Sequence, residues 1–109
     1  MTLQQLQQQI GSLQREAARY ALSIELIDRI AESCGHPQQE TAAHGATVRR
    51  RELQQIYIRL HALEARLPTP EALSEAAFNR ALMLGLSIDA AEGARVSTWR
   101  SAKAQRLAA

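Results

Sequence analysis

The sequence predicts an all-α chain: a long antiparallel, coiled-coil-like helical hairpin followed by two shorter helices, in one four-helix domain. Three observations lead there. Leu, Ala, Gln, Glu and Arg, all strong helix formers, dominate the 109 residues, whereas there are only 5 Gly and 3 Pro. Apolar residues make up 46% of the chain but aromatic ones only 4%, so a core has to be built from Leu, Ile and Ala meshing between helices. Finally, apolar positions recur at spacings of three and four, and no stretch shows the alternation of a strand.

The first element carries the strongest signal. Leu3, Leu6, Ile10, Leu13, Ala17, Tyr20, Ile24, Ile27, Ala31 and Cys34 form an unbroken heptad seam, as a coiled-coil helix requires. At about 1.5 Å per residue such a helix is roughly 50 Å long, and Thr2 is placed to cap it. Gly11 lies off the seam and costs about 1 kcal/mol relative to Ala. The two halves differ. Ala18, Leu22 and Leu26 add a second apolar line, and Ile30 widens the seam, whereas Gln4, Gln5, Gln7, Gln8 and Gln9 surround the seam near the start. Residues 17–34 are therefore expected to be covered on two sides and residues 2–14 on one.

"GHP" at 35–37 stops one helix and starts another, with glycine suited to a left-handed C-terminal position and proline to a first turn. The second helix begins either near Pro37 or only near Ala46, because the intervening "QQETAAHGATVRRR" carries Gly45 and little apolar surface. From there Leu53, Ile56, Leu60, Leu63 and Leu67 repeat the heptad spacing, flanked by Tyr57. Residues 2–67 thus make the hairpin. Pro68 ends it. Thr69 caps a third helix with Pro70 in its first turn, and Leu73, Ala76, Ala77, Ala81, Leu82 and Leu84 form its expected buried face. "LGLS" closes that helix, and Ser87 caps a fourth running to Leu107, so that residues 69–107 form a C-terminal pair.

The formal charge of +2 is too small to imply a polyanionic partner. Only one of the 13 basic residues, Lys103, is a lysine, a composition typical of GC-rich bacterial genomes. A single cysteine precludes an internal disulfide and fits a reducing compartment. "MTLQQLQQQI" lacks the basic and apolar regions of a signal peptide, and no apolar run approaches a membrane span. These features point to the bacterial cytoplasm.

"RALMLGLSIDAAEGA" resembles a helix-turn-helix at Ala81, Gly85, Leu86, Ala91 and Ala94. In that register residues 88–93 would enter a groove, and they carry Asp89 and Glu92 but no base, the wrong sign for phosphate. A second register puts the turn at "EGARVS" and makes "STWRSAKAQRL" the reader. There Arg95, Trp99, Arg100, Lys103 and Arg106 are candidate contacts to nucleic acid or to an acidic partner. The competing reading is one continuous bundle helix, whose C-terminal cations suit its dipole and whose Trp99 packs against neighbours.

Other constellations are weaker. Arg49, Arg50 and Arg51 fan around a helix and read as a solvated face pairing with nearby acids. Cys34, His36 and His44 match no zinc spacing and lack an evident fourth ligand. His61 has no Ser or Cys nucleophile beside it. Asp89 and Glu92 lie one turn apart, where a helix N-terminus favours acids anyway. Phosphate-loop and dinucleotide fingerprints are missing. The sequence therefore predicts no catalytic, cofactor or metal site and no small-molecule substrate.

What remains is a non-catalytic helical interaction protein, such as an adaptor, assembly factor, chaperone or inhibitor. Its partner face is expected at Leu3, Leu6, Ile10 and Leu13, completed by a second copy in a homodimer. The C-terminal helices are expected to pack on the doubled face of residues 17–34. The second expectation is a small dimeric DNA- or RNA-binding regulator using the basic helix around Trp99.

Overall fold

The computed structural model describes residues 1–33 and 35–108, without the side chains of residues 36, 37 and 108. Four helices follow in order: α1 Leu3–Ser33, α2 His36–Glu64, α3 Pro70–Met83 and α4 Ile88–Ala108. Its extents are 56 × 31 × 22 Å and its radius of gyration is 16.9 Å, against about 13 Å for a compact domain of this length. The shape is that of a rod with a thickened end.

The helix boundaries follow local chemistry. At the start of α1, the Gln5 amide donates to Thr2 Oγ1 (3.1 Å) and the Thr2 amide donates to Gln5 Oε1 (2.9 Å). This is a reciprocal capping box. α2 takes the earlier of its two expected starts, with proline in its first turn. Gly35 is its N-cap in extended backbone, φ −70°, and not the left-handed residue expected there. Thr69 Oγ1 and Ser87 Oγ each accept from a backbone amide three residues on, capping α3 and α4. Gly85 has φ 83°. Beside it, the Gly85 amide donates to Leu82 O and the Leu86 amide to Ala81 O. Together these make a Schellman ending that satisfies the last carbonyls of α3.

α1 and α2 form the antiparallel hairpin. Near its closed end Arg50 bonds Asp28 at 2.8 Å; near its open end Gln14 meets Glu64. Ala17, Ile24, Ala46 and Ile56 are buried along the seam. Cys34, the last expected seam position, lies outside the described residues.

α3 and α4 form a second antiparallel pair. Arg95 sits over the Phe78 ring, 4.0 Å from its centroid, and Arg106 near the end of α4 donates to Pro68 O just before α3. Their inner faces are made of small residues: Ser74, Ala77, Ala81, Ala91 and Ala102 are buried. Leu82, expected in the buried face of α3, is exposed. α4 runs unbroken through Gly93, as the reading of one continuous bundle helix requires, and the turn of the second register at "EGARVS" does not form. The antiparallel alignment also differs from the roughly perpendicular crossing of a helix-turn-helix.

The C-terminal pair docks on the opposite half of α1 from the one expected. Leu6, Ile10, Leu60, Leu67 and Ala76 form the main core, with Leu13, Tyr57, Leu63, Ala72 and Leu73 packed against it. The reason is reach. α2 ends beside the start of α1, a five-residue connection follows, and α3 at about 1.5 Å per residue spans only about 20 Å. Beginning at the open end, it stops well short of the tip.

Candidate functional site: an uncovered helix face at the hairpin tip

The docking of α3 decides which surfaces remain. At the junction, Gln14 Nε2 of α1 donates to Ala76 O of α3 at 2.9 Å and to Glu64 Oε1 of α2 at 3.4 Å. Arg80 of α3 donates to the other Glu64 oxygen, Oε2. Gln14 and Glu64 are both buried, so each depends on these partners for polar satisfaction. Sequence patterning missed this cluster because a glutamine in a glutamine-rich stretch, and acids and bases on helix flanks, read as solvent-facing.

The predicted partner face is corrected accordingly. Leu6 and Ile10 are only 6% and 4% exposed, consumed by the chain's own core. Leu13 is partly buried against that core, and Leu3 is exposed. The glutamine-flanked half of α1 is covered by both α2 and α3.

The tip is the reverse. Leu22, Leu26 and Ile30 are 57%, 48% and 56% exposed. At 100° per residue Leu22 and Leu26 lie on the back of α1, about 160° from Ile24, which faces α2. The line was visible in the sequence, but its cover was assigned to helices that do not reach it. Glu25 and Arg29 form an ion pair at 2.5 Å on one flank of this line. Across the hairpin, a hydrogen bond with Glu52 raises the Tyr20 phenol above its ordinary 10.0, helped by burial and the charges of Glu52 and Glu16 and opposed by Arg49.

Two of the four cations in the basic C-terminal cluster are committed within the chain. Arg95 stacks on Phe78 and lies 3.7 Å from both Glu75 and Glu92; Arg106 is held by Pro68 O. Arg100 and Lys103 remain exposed. The Lys103 ammonium lies 5.1 Å from the Trp99 ring centroid, and Trp99 itself is 40% exposed, so it is half anchor and half surface. In the arginine run, Arg50 makes the expected pairing with an acid.

Among the described residues no group of three or more His, Cys, Asp or Glu could hold a metal. The suggested trio included Cys34 and His36, whose relevant atoms lie outside those residues. No described helix is long and apolar enough to cross a membrane. The chain matches no family model, no curated protein and no solved structure. What fold and surface define is an all-α, four-helix chain with an uncovered apolar line at the tip of its hairpin.

Proposed function

We propose that this chain is a non-catalytic helical interaction module that works by offering helix faces to other polypeptides, first of all to a second copy of itself. The observation that carries the reading is the line Leu22–Leu26–Ile30, half in water on the face of α1 turned away from α2. A contiguous apolar stripe of this kind marks a partner surface.

A second copy fits by symmetry and by charge. In an antiparallel pairing about Leu26, that residue meets its own copy and Leu22 lies across from Ile30. A two-fold axis keeps the same flank together, so Glu25 of each copy faces Arg29 of the other. The stripe is only about 12 Å long, short against the roughly 800 Å² per partner of a standard interface. The expected dimer is therefore concentration-dependent.

Sedimentation of the wild type against Leu22→Gln/Leu26→Gln/Ile30→Gln tests this. Wild-type mass should climb with concentration while the triple variant stays monomeric with its helical signal intact. A wild type that remains monomeric throughout, or a variant that associates as the wild type does, would overturn the reading.

A further inference from the structure

The hairpin has two long grooves flanking its seam, and α3 occupies only one. On the helical wheel, Gln7, Gly11 and Gln14, which line the α3 side, lie across the Leu6–Ile10–Leu13 seam from Gln9 and Ser12. Gln9 and Ser12 line a groove of about 510 Å³ on the other side. Its floor is apolar, formed by Leu13 of α1 with Ala62 and Leu63 of α2, and Leu13 and Leu63 rest on the main core. Its rim carries Arg59 of α2 and Arg66 in the turn just after that helix, seven residues apart in sequence. Both are exposed. Among the described residues neither joins an ion pair, and no acid lines the groove.

From this we infer that the open groove is a docking channel for an acidic amphipathic helix of another protein. Three features select that occupant. A groove between two packed helices has the cross-section of a third helix, and α3 shows the arrangement on the far side by laying Leu73 and Ala76 onto the core. The apolar floor calls for a leucine-rich stripe. The two unpaired guanidiniums call for carboxylates seven residues apart beside that stripe, since Arg pairs carboxylates well. A basic or neutral helix would leave both arginines facing no counter-charge. This channel is separate from the tip face, and the inference stands whether or not the chain self-associates.

The test uses the full chain and a fluorescein-labelled designed peptide, helical, with leucines at heptad spacing flanked by glutamates seven residues apart. A second peptide replaces those glutamates with lysines. The acidic peptide should bind the wild type and lose about tenfold or more in affinity with Arg59→Glu/Arg66→Glu, as two reversed charge pairs require. The lysine peptide should show the opposite preference. Both exposed substitutions should leave the helical signal unchanged. Binding of the acidic peptide should persist in Leu22→Gln/Leu26→Gln/Ile30→Gln, which separates this channel from the tip. Equal binding of the two peptides, indifference to the charge reversal, or loss of binding only in the tip variant would overturn the inference. So would a medium-chain fatty acid that binds the groove while neither peptide does.

Discussion

Glu64, in the last turn of α2, accepts from the guanidinium of Arg80 on α3, while its other carboxylate oxygen takes a bond from Gln14 of α1. One side chain therefore ties together the three helices that build the main core. It also fixes where the C-terminal pair sits, and thereby which half of α1 stays bare.

Removing that tie should be costly. Glu64→Ala leaves the Arg80 guanidinium, mostly shielded from water, without its counter-charge and removes the longer of the two bonds made by Gln14 Nε2. Breaking a fully buried pair costs about 3–5 kcal/mol; with Arg80 partly solvated the expected loss is about 2 kcal/mol. Gln14→Ala should cost about 1 kcal/mol. Denaturant titrations followed by circular dichroism measure both, and an effect of Glu64→Ala within error of zero would show that the clamp does not hold α3.

Two glycines should respond to alanine with opposite signs. At Gly85 an added Cβ meets nothing within 4 Å, so the whole penalty is the left-handed backbone, and Gly85→Ala should destabilise by about 1–2 kcal/mol. Gly93 lies inside α4 with equally open space around it. Gly93→Ala should stabilise by about 0.5–1 kcal/mol. Thermal melts of the two variants against wild type check the pair.

The tyrosines set an alkaline limit. Glu52 raises the Tyr20 phenol and burial raises Tyr57, with Arg80 opposing the latter. Both groups thus favour the protonated phenol when folded. Their contribution to stability is complete below the ordinary value of 10.0 and fades as pH climbs through the raised ones. Tyrosinate absorbance should appear later for the folded chain than for the unfolded one, and Glu52→Gln should bring one of the two transitions earlier.

Trp99 reports on α4. With its ring half in solvent under the Lys103 ammonium, its emission should be readily quenched by acrylamide and should redden only slightly on unfolding. A strongly blue, poorly quenched emission would mean that a partner covers α4.

Three helix starts were legible in the sequence because they depend on neighbours in the chain: Thr2 before α1, Thr69 before Pro70, Ser87 after Gly85. So was the hairpin, from the repeats of Leu and Ile. The junction at 35–37 was only half legible, since Gly35 caps α2 in extended backbone and not as a left-handed residue. The docking of α3 was not legible, because it rests on Gln14 and Glu64, 50 positions apart in sequence, meeting and bonding to Ala76 and Arg80. Patterning treats such polar residues as surface. Leu22 and Leu26 were legible as part of a second apolar line, with Ile30 read as widening the seam, but which line the chain would cover depended on the reach of α3 from the open end. Helix lengths contain that information, whereas hydrophobic spacing does not. For the same reason, Arg95 and Arg106 read as free cations until Phe78, Glu75 and Pro68 were seen beside them.

The most direct test of the central claim, that the bare tip of α1 pairs with its own copy about Leu26, is cross-linking at that position. In a Cys34→Ser background, Leu26→Cys should form a covalent dimer under mild oxidation, because the two-fold register sets residue 26 against itself, and Leu3→Cys should stay monomeric. A Leu26→Cys chain that resists cross-linking while Leu3→Cys dimerises would contradict the account and return the interface to the N-terminal end.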